Sequence, residues 1–584
     1  MSTAPRMQTS PKQVFLGVHD GHNASVALVA NGKLEFAMQE ERLSRIKNQG
    51  DAPSRTLRMA LERAGSADTV EVALNGRYMN YRQWDRKTVM RDYEQSASWR
   101  SRLKQPLKNT FVDRAYQNHK AEARRDALMQ AGLDAGSMTE VEHHTAHAAA
   151  AYYTAPWRKN AGSFPEQTLV LTCDGSGDRV AATVSIGEGS KLTRIAEVSE
   201  HDSIGRLYSL VTRHLGMVPL EHEYKVMGLA PYASSARASQ DIARQFEDMF
   251  EFTQPMAWSR KAGVPSMYSA YGYLAKGLQG QRFDYVAAGS QAFVESILTQ
   301  WVRRAIRETG IHRIACGGGV FMNVKANLAL LELDEVEDMY VFPSCGDESN
   351  SIGAACWQAA RAGQVVAPLQ GLYFGDPITD GEAQNALETA ARSGAKLRFS
   401  WRTDIERTTA EALASGQIVA RAKGPAEFGA RALGNRSILA PAGRADVVRV
   451  INEAIKSRDF WMPFAPSVLA ERGSRYYTKA KNVASPYMMY AFRGKAEQAG
   501  KFVAALHPYD FTTRAQEVTA SHNPAYHRLL EQYEDLTGEG IVLNTSFNLH
   551  GEPIVDRAND AIDVLLRSGL ERLALGNWWV EKVA

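Results

Sequence analysis

Near its start the chain alternates apolar runs with short polar turns: VFLGV (14–18), HDGHN (19–23), ASVALVA (24–30), then NGKLEFAMQ (31–39). This pattern reads as strand, tight turn, strand, turn, strand. The same order returns as TLVLTC (168–173), DGSGD (174–178), RVAATVSI (179–186) and GEGSKLTRIAEV (187–198). Between the copies, EHHTAHAAAAYY (142–153) is Ala-rich and predicts a helix. Downstream, IACGGGVFMNVKANLALL (314–331) predicts a strand, a glycine turn and a helix, and MYVFPS (339–344) a further strand.

Two strand-turn-strand units, each with an acidic residue and glycine in its first turn, are what an actin-like ATPase needs on either side of a nucleotide cleft, where backbone N–H groups and carboxylates face phosphates and their metal. An Asp-Gly turn alone is an ordinary way to join strands; the duplication gives the pattern its weight. The glycine triplet leaves room for a nucleotide or another backbone, and the following helix start offers N–H donors. The expected nucleotide contacts in this half are Gly175, Gly177, Gly317, Gly318, Gly319 and Asn323.

Candidate chemistry centres on the helix between the hairpins. His143 and His147 are one turn apart, so both imidazoles face the same way and can share a divalent cation. Asp174, after one apolar strand, and Asp347, after another, would add hard oxygen donors and leave positions open for phosphate or water. The position after His143 is His144, not the glutamate of a metalloprotease helix. Iron(II) is the first expectation for this set, with zinc or manganese accepted.

Composition narrows the class. At 584 residues the chain exceeds what one core serves, roughly 250–300 residues, so at least two domains are expected. With 44% hydrophobic and 23% charged residues it reads as globular, and a formal charge of +3 without basic blocks argues against a nucleic-acid surface. The four cysteines form no CxxC pair and read as buried thiols of a reducing compartment. With neither a signal-like nor a membrane-spanning run, the expectation is a cytoplasmic protein without membrane contact.

A Pro/Gly-punctuated stretch, QVVAPLQGLYFGDPITDGEAQ, marks the expected boundary: domains of residues 1–368 and 369–584. The second part carries Arg431 and Arg436 in FGARALGNRSILA, Lys456 and Arg458 in INEAIKSRDFW, Arg514 in TTRAQEV, and Ser546 and Asn548 in IVLNTSFN. Arginine forks, a lysine and hydroxyl donors with few compensating acids suit an anion-rich ligand such as an acyl phosphate plus ATP.

The ordered series GHNAS, EERLSRIKNQG, HHTAHAAAAYY, DGSGD, EYKVMGLAPYA, GGGVFMNVKAN, FGARALGNRSIL, WMPFAPSVL and NTSFN resembles the NodU/CmcH-type O-carbamoyltransferases from about residue 17 to about residue 555. The resemblance implies an α/β fold: a duplicated actin-like ATPase-type domain carrying the metal, followed by an α+β YrdC-like domain. It further implies that carbamoyl phosphate and magnesium-bound ATP give carbamoyl-adenylate at Arg431, Arg436, Lys456, Arg514, Ser546 and Asn548. The carbamoyl group would then pass to a hydroxyl of a small, antibiotic-type natural product in the first domain. His143, His147, Asp174 and Asp347 match the metal ligands, and His22 matches the group that takes the acceptor's proton, with Asp20 orienting it.

Two departures stand out. His22 is followed by Asn23 where the family usually has aspartate, and KGPAEFG carries Pro425 where an arginine is frequent, so that a phosphate contact would fall to Lys423 or Arg421. Alternative readings are an actin-like nucleotide-switched binding protein and a tRNA threonylcarbamoyl-type enzyme. The partner expected is a small hydroxylated acceptor, held by the segments around 76–120 and 250–285; a homodimer is also compatible.

Overall fold

The structure, a computed structural model, describes residues 13–583 apart from 66, 68, 78–88, 91–92, 94–110, 135–137, 158–166 and 457–458. Most of the first expected acceptor segment, including RYMNYRQWDRK beyond Arg77, lies outside the described residues, as does Arg458.

The first apolar repeat folds as β1 (Gln13–His19), β2 (Ser25–Ala30) and β3 (Lys33–Gln39), an antiparallel meander that β4 (Thr69–Asn75) and β5 (Met138–Val141) extend in parallel, giving the order β3-β2-β1-β4-β5. The second repeat folds as β6 (Thr168–Gly177), β7 (Val180–Glu188) and β8 (Lys191–Ser199). After a separate hairpin, β9 (Phe250–Gln254) and β10 (Ala257–Arg260), the parallel strands β11 (Arg313–Gly317) and β12 (Asp338–Val341) complete the order β12-β11-β6-β7-β8. The two sheets therefore share one topology. Strands β1, β2 and β6 are buried almost throughout, which is why their sequences read as continuous apolar runs and not as alternation.

A crossed pair of helices joins the sheets. The histidine helix (His143–Tyr153) follows β5 yet packs on β6 and β11 of the second sheet; the helix Asn350–Arg361 follows β12 yet packs on β1, β2 and β4 of the first. They touch at Gly353, where a Cβ would lie 1.8 Å from the carbonyl oxygen of Ala146. No side chain larger than hydrogen lets the two backbones approach this closely. The Ala-rich sequence of the histidine helix serves the same contact, since Ala146, Ala148, Ala149, Ala150 and Ala151 are all buried.

Beyond residue 372 the strand Tyr373–Pro377 pairs with Pro425–Glu427, and a mixed eight-stranded sheet runs in the spatial order 397–401, 578–582, 572–575, 419–422, 436–441, 541–546, 465–469, 516–518. Two hydrophobic clusters lie wholly within the second part, over 378–580 and 405–579, while a third crosses the expected 368/369 boundary, running from Phe15 through Tyr340 to Phe428, Leu433, Tyr476 and Ile541. Polar contacts cross as well, with the Asn327 side-chain amide donating to the Met489 carbonyl (2.8 Å) and the Tyr490 hydroxyl to the Met339 carbonyl (2.9 Å). Segment 474–515, assigned by the sequence to the second domain, therefore closes over the second sheet of the first. All four cysteines are buried and unbridged, and among the described residues no helix is long and apolar enough to cross a membrane.

Candidate active site

The two repeats place their acidic turns at the same end of the paired sheets, but the two aspartates meet different partners. Asp174, at the end of β6, faces the histidine helix. His143 Nε2 lies 3.2 Å and His147 Nε2 3.7 Å from Asp174 Oδ2, and 3.5 and 3.6 Å respectively from Asp347 Oδ1; the two Nε2 atoms are 3.1 Å apart. Asp347 arrives from the turn between β12 and the helix Asn350–Arg361. One ligand atom from each of the four residues lies within 4.8 Å of the others. Metal–nitrogen bonds of about 2.0–2.1 Å put neighbouring ligand atoms about 3–3.5 Å apart, so the spacing fits a single cation.

Supporting bonds hold the set. Gly319 N donates to Asp174 Oδ1 (3.0 Å), Ser349 Oγ lies 3.3 Å from His147 Nδ1, and Asn350 Nδ2 lies 3.2 Å from His147 Nε2. Although burial disfavours its charged form, the hydrogen bond to Asp174 and the charges of Asp347 and Asp174 push His143 up to about 9. The Asp174 carboxyl, opposed by burial, is held well below the usual range by both imidazoles. Without a cation the two imidazoles hold protons against the paired carboxylates, and a divalent ion would displace those protons.

The glycines expected to meet a nucleotide fit instead around this cluster. A Cβ on Gly177 would lie 2.1 Å from the His143 ring, one on Gly317 2.7 Å from the His147 carbonyl oxygen, and Gly318, at φ +95°, faces the Cys173 carbonyl. Asn323 caps the helix Val324–Leu331 through Ala326 N (3.1 Å) and forms a reciprocal amide pair with Gln291 (2.8 and 3.0 Å). Only Gly175 opens onto free space.

Asp20 occupies the place of Asp174 in the first repeat, but it does not orient His22. Both its oxygens accept from Arg124, Nε to Oδ2 at 2.7 Å and Nη2 to Oδ1 at 2.6 Å, in a pair that is almost wholly buried. His19, absent from the sequence-based expectations, bonds the backbone of His22. His19 Nε2 lies 2.9 Å from the His22 carbonyl oxygen, and Asn75 Nδ2 lies 2.9 Å from His19 Nδ1. A carbonyl only accepts, so Nε2 carries the hydrogen, and burial, which lowers the ring to about 4, keeps it neutral near pH 7. Its signal in the sequence was its position as the last residue of a buried strand. Asn23 takes the left-handed conformation (φ 63°), which asparagine tolerates, and its amide reaches Glu348 Oε2 at 3.5 Å.

Burial lowers the pKa of His22 below the ordinary imidazole value and that of His19 to about 4, while His144, bonded to Thr172 (2.8 Å) and the Val180 carbonyl (3.0 Å), is pushed down to about 3, first by burial and then by the charge of His143. The unfolded chain takes up protons at these positions below about pH 6.5 and the native chain does not, so stability must fall as pH drops from 6.5 to 5. The His19 contribution alone is on the order of 2 kcal/mol at pH 5. His143, raised to about 9, is already protonated in the native chain and nearly so in the unfolded one toward pH 5, so it offsets only a small part of the loss. Urea midpoints at pH 6.5, 5.75 and 5 measure it; a flat series would exclude buried neutral imidazoles.

In the second half the turn Phe428–Ser437 wraps around Glu427, whose Oε1 accepts from the backbone N–H of Leu433 (2.9 Å), Asn435 (2.7 Å) and Arg436 (3.1 Å). Asn544 donates to the Ala432 carbonyl (3.1 Å), Gln516 to that of Leu433 (2.9 Å), and Phe547 N to that of Arg436 (2.9 Å). The segments bearing Arg431, Arg514, Ser546 and Asn548 are thereby laced together, with all four side chains half-buried. Ser546 Oγ donates to Asn548 Oδ1 (2.7 Å). Lys456 ends a π-helical turn, and its side chain lies outside the described residues.

Arg436, expected among the ligands of carbamoyl phosphate and ATP, lies in the interior. It is fully buried, with Nε donating to the Asp556 carbonyl (2.9 Å) and Nη1 to those of Gly424 and Asn435 (both 2.9 Å), leaving Nη2 without a partner. Both candidates for the missing arginine at Pro425 already carry bonds within the fold, although Arg421 keeps Nη2 without a hydrogen-bond partner. Lys423 Nζ donates to Glu406 (2.7 Å) and Asn577 (2.9 Å), and Arg421 to the Gly434 carbonyl (2.7 Å) and Asn435 (3.0 Å). The expectation of few compensating acids fails as well: Glu406 and Asp556 arrive from elsewhere in the fold and are buried here together with Glu427. The turn also bridges the two halves, with Gly429 N donating to Gln39 Oε1 (3.0 Å), Arg42 Nη2 to the Gly429 carbonyl (2.5 Å), and Ala430 N to Ser344 Oγ (3.0 Å), close to Asp347.

Family models described as Carbamoyltransferase N-terminus and Carbamoyltransferase C-terminus match residues 14–356 and 410–582. The chain belongs to the carbamoyltransferase family. Its chemistry is therefore carbamoyl transfer, and both halves described above fall within the family's extent. Similar relatives include nodulation protein NolNO of Sinorhizobium fredii, 30% identical over 96% of this chain and 79% of that protein, and nodulation protein NolO of Bradyrhizobium diazoefficiens, 33% identical over 76% and 79%. A solved full-length HypF in its phosphate- and nucleotide-bound form covers 61% of this chain and 56% of its own, at 14% identity and a TM-score of 0.32, a likeness too distant to bear on function.

Proposed function

We propose that the chain is an ATP-dependent O-carbamoyltransferase whose second half, a YrdC-like domain, makes carbamoyl-adenylate and whose first half, an actin-like domain, transfers the carbamoyl group to a hydroxyl of a small natural product. The observation that carries this reading is the closing of His143, His147, Asp174 and Asp347 on one point within a carbamoyltransferase.

In the second half, water releases phosphate from carbamoyl phosphate, and an oxygen of the resulting carbamate attacks the α-phosphorus of ATP as pyrophosphate leaves. Arg431, Arg514, Ser546, Asn548, Lys456 and the spare Nη2 of Arg436 supply the donors around this anion. In the first half, the acceptor oxygen attacks the carbamoyl carbon, the bond to the AMP oxygen breaks, and the hydroxyl proton passes to His22. With its pKa lowered by burial, His22 is neutral at physiological pH and ready to accept. His19 holds its backbone in place. A cation held by His143, His147, Asp174 and Asp347 would act as a Lewis acid toward the carbonyl or phosphate oxygen; the ligand set accepts iron, zinc or manganese.

The test is incubation with carbamoyl phosphate, ATP and magnesium while pyrophosphate is followed. The expected result is pyrophosphate release dependent on carbamoyl phosphate, retained by His22→Asn, while transfer to a hydroxylated acceptor falls by roughly 100- to 10,000-fold in that variant. ATP binding without any pyrophosphate would instead support a nucleotide-switched binding protein.

A further inference from the structure

One arginine beside the transfer site has no described partner. Arg206 lies in the first turn of the helix Ile204–His214, whose capping residue Ser203 donates through Oγ to the carbonyls of Asp174 (3.2 Å) and Gly175 (2.6 Å). Its neighbour Gly205 is so close to the same turn that a Cβ there would lie 2.6 Å from the Asp174 carbonyl oxygen. The helix start is therefore seated on the turn that carries the candidate metal ligand.

The guanidinium carbon lies 4.0 Å from the ring centroid of Tyr268 and 4.8 Å from that of Tyr93. Tyr268 is fixed in turn, donating to Glu200 Oε2 (3.0 Å) and accepting from Ser176 Oγ (2.6 Å), two residues beyond Asp174. Among the described residues the Arg206 guanidinium makes no hydrogen bond and no ion pair, and its Nε is buried without a partner. Aromatic faces hold a guanidinium by cation–π attraction without using its in-plane donors. The result is a charged fork held in position by a helix seated on the Asp174–Gly175 turn, which opens onto free space at Gly175.

We propose that Arg206 binds the phosphate of a nucleoside monophosphate group in the transfer cleft, and so receives the adenylate and stabilises AMP as it leaves. The assignment of that ligand rests on the adenylate route proposed above; the anion site itself does not. When the carbamoyl–oxygen bond breaks, charge develops on the phosphate oxygen, and a fixed fork of N–H donors is the arrangement that stabilises such charge without reorganising. Tyr93 and Tyr268 are positioning residues for this fork.

Equilibrium dialysis of labelled AMP against the full chain tests it. Arg206→Gln is expected to weaken one class of AMP site by about ten- to a hundred-fold, the range for a charge-assisted hydrogen bond. Arg206→Lys, which keeps the charge but loses the fork, should fall between the two. Pyrophosphate formation from carbamoyl phosphate and ATP should be the same in all three, so failure of the adenylation route would show in the wild-type chain independently of this result. A second measurement needs no variant: AMP should protect Arg206 from phenylglyoxal, read by peptide mass, and inorganic phosphate at the same concentration should protect it less. AMP binding unchanged in Arg206→Gln, or no protection by AMP, would overturn the proposal; equal protection by inorganic phosphate would overturn the assignment to a nucleotide.

Discussion

Replacing His147 with alanine is expected to strip the candidate cation from the first half and lower carbamoyl transfer by at least about 100-fold, with pyrophosphate release unchanged. Removing even a supporting group costs roughly 10- to 100-fold in metal affinity, and His147 is a direct ligand candidate. Its ring is fully buried, and no neighbour can replace it: Asn350 and Ser349, the polar groups beside it, already contact its two nitrogens. The loss also unbalances charge, because Asp174 and Asp347 would remain together with only His143 to neutralise them. Metal content after gel filtration, set against pyrophosphate and carbamoylated product, separates the two half-reactions. Full transfer by a metal-free His147→Ala chain would remove the Lewis-acid role. Ser349→Ala, which removes only the contact at Nδ1, should give a smaller fall of roughly 10-fold.

The second large effect is on stability. Arg124→Met should destabilise the first sheet by about 3–5 kcal/mol, because it leaves the Asp20 carboxylate buried without its counter-charge. Arg124 also donates to the carbonyls of Gly76 (2.6 Å) and Asn75 (2.5 Å), so two backbone acceptors lose their donor as well. The damage reaches chemistry through Asn75, whose amide sets the His19 ring that in turn holds His22. Pairing the change with Asp20→Asn should recover part of the loss, since the charge is then gone from both sides. Hydrogen exchange across residues 13–30 and 69–75 reports on this region separately from the second half. Protection unchanged in Arg124→Met would show that the pair contributes little.

Much of the first half was legible because its signals are local. The strand-turn-strand pattern depends on neighbouring residues, and its repetition specified the two meanders around which the paired sheets are built. The period of the histidine helix placed His143 and His147 together, since one turn of helix brings them to the same face. The boundary at 368/369 was less informative: composition marked a break in regular structure, but which core segment 474–515 joins depends on packing that no local pattern encodes.

The arginines of the second half show the limit most clearly. From the sequence, Arg421, Arg431, Arg436 and Arg514 were equivalent cations in search of an anion. In the fold, Arg421 and Arg436 are buried against carbonyls, and Glu406 and Asp556 come from other segments to share that interior with Glu427. The aspartates of the paired hairpins divide in the same way, Asp174 meeting two imidazoles and Asp20 meeting Arg124.

By itself the sequence determined the repeated strands, the paired imidazoles and the order of family motifs, because each is fixed by spacing along the chain. Only the tertiary structure decided which aspartate faces the histidines, that Asp20 pairs with Arg124 while His19 bonds the backbone of His22, and that Arg206 stands against two tyrosine rings. Those outcomes turn on direction and on partners far away in sequence, and charge and hydrogen bonding act through space over a few ångströms, whatever the separation along the chain.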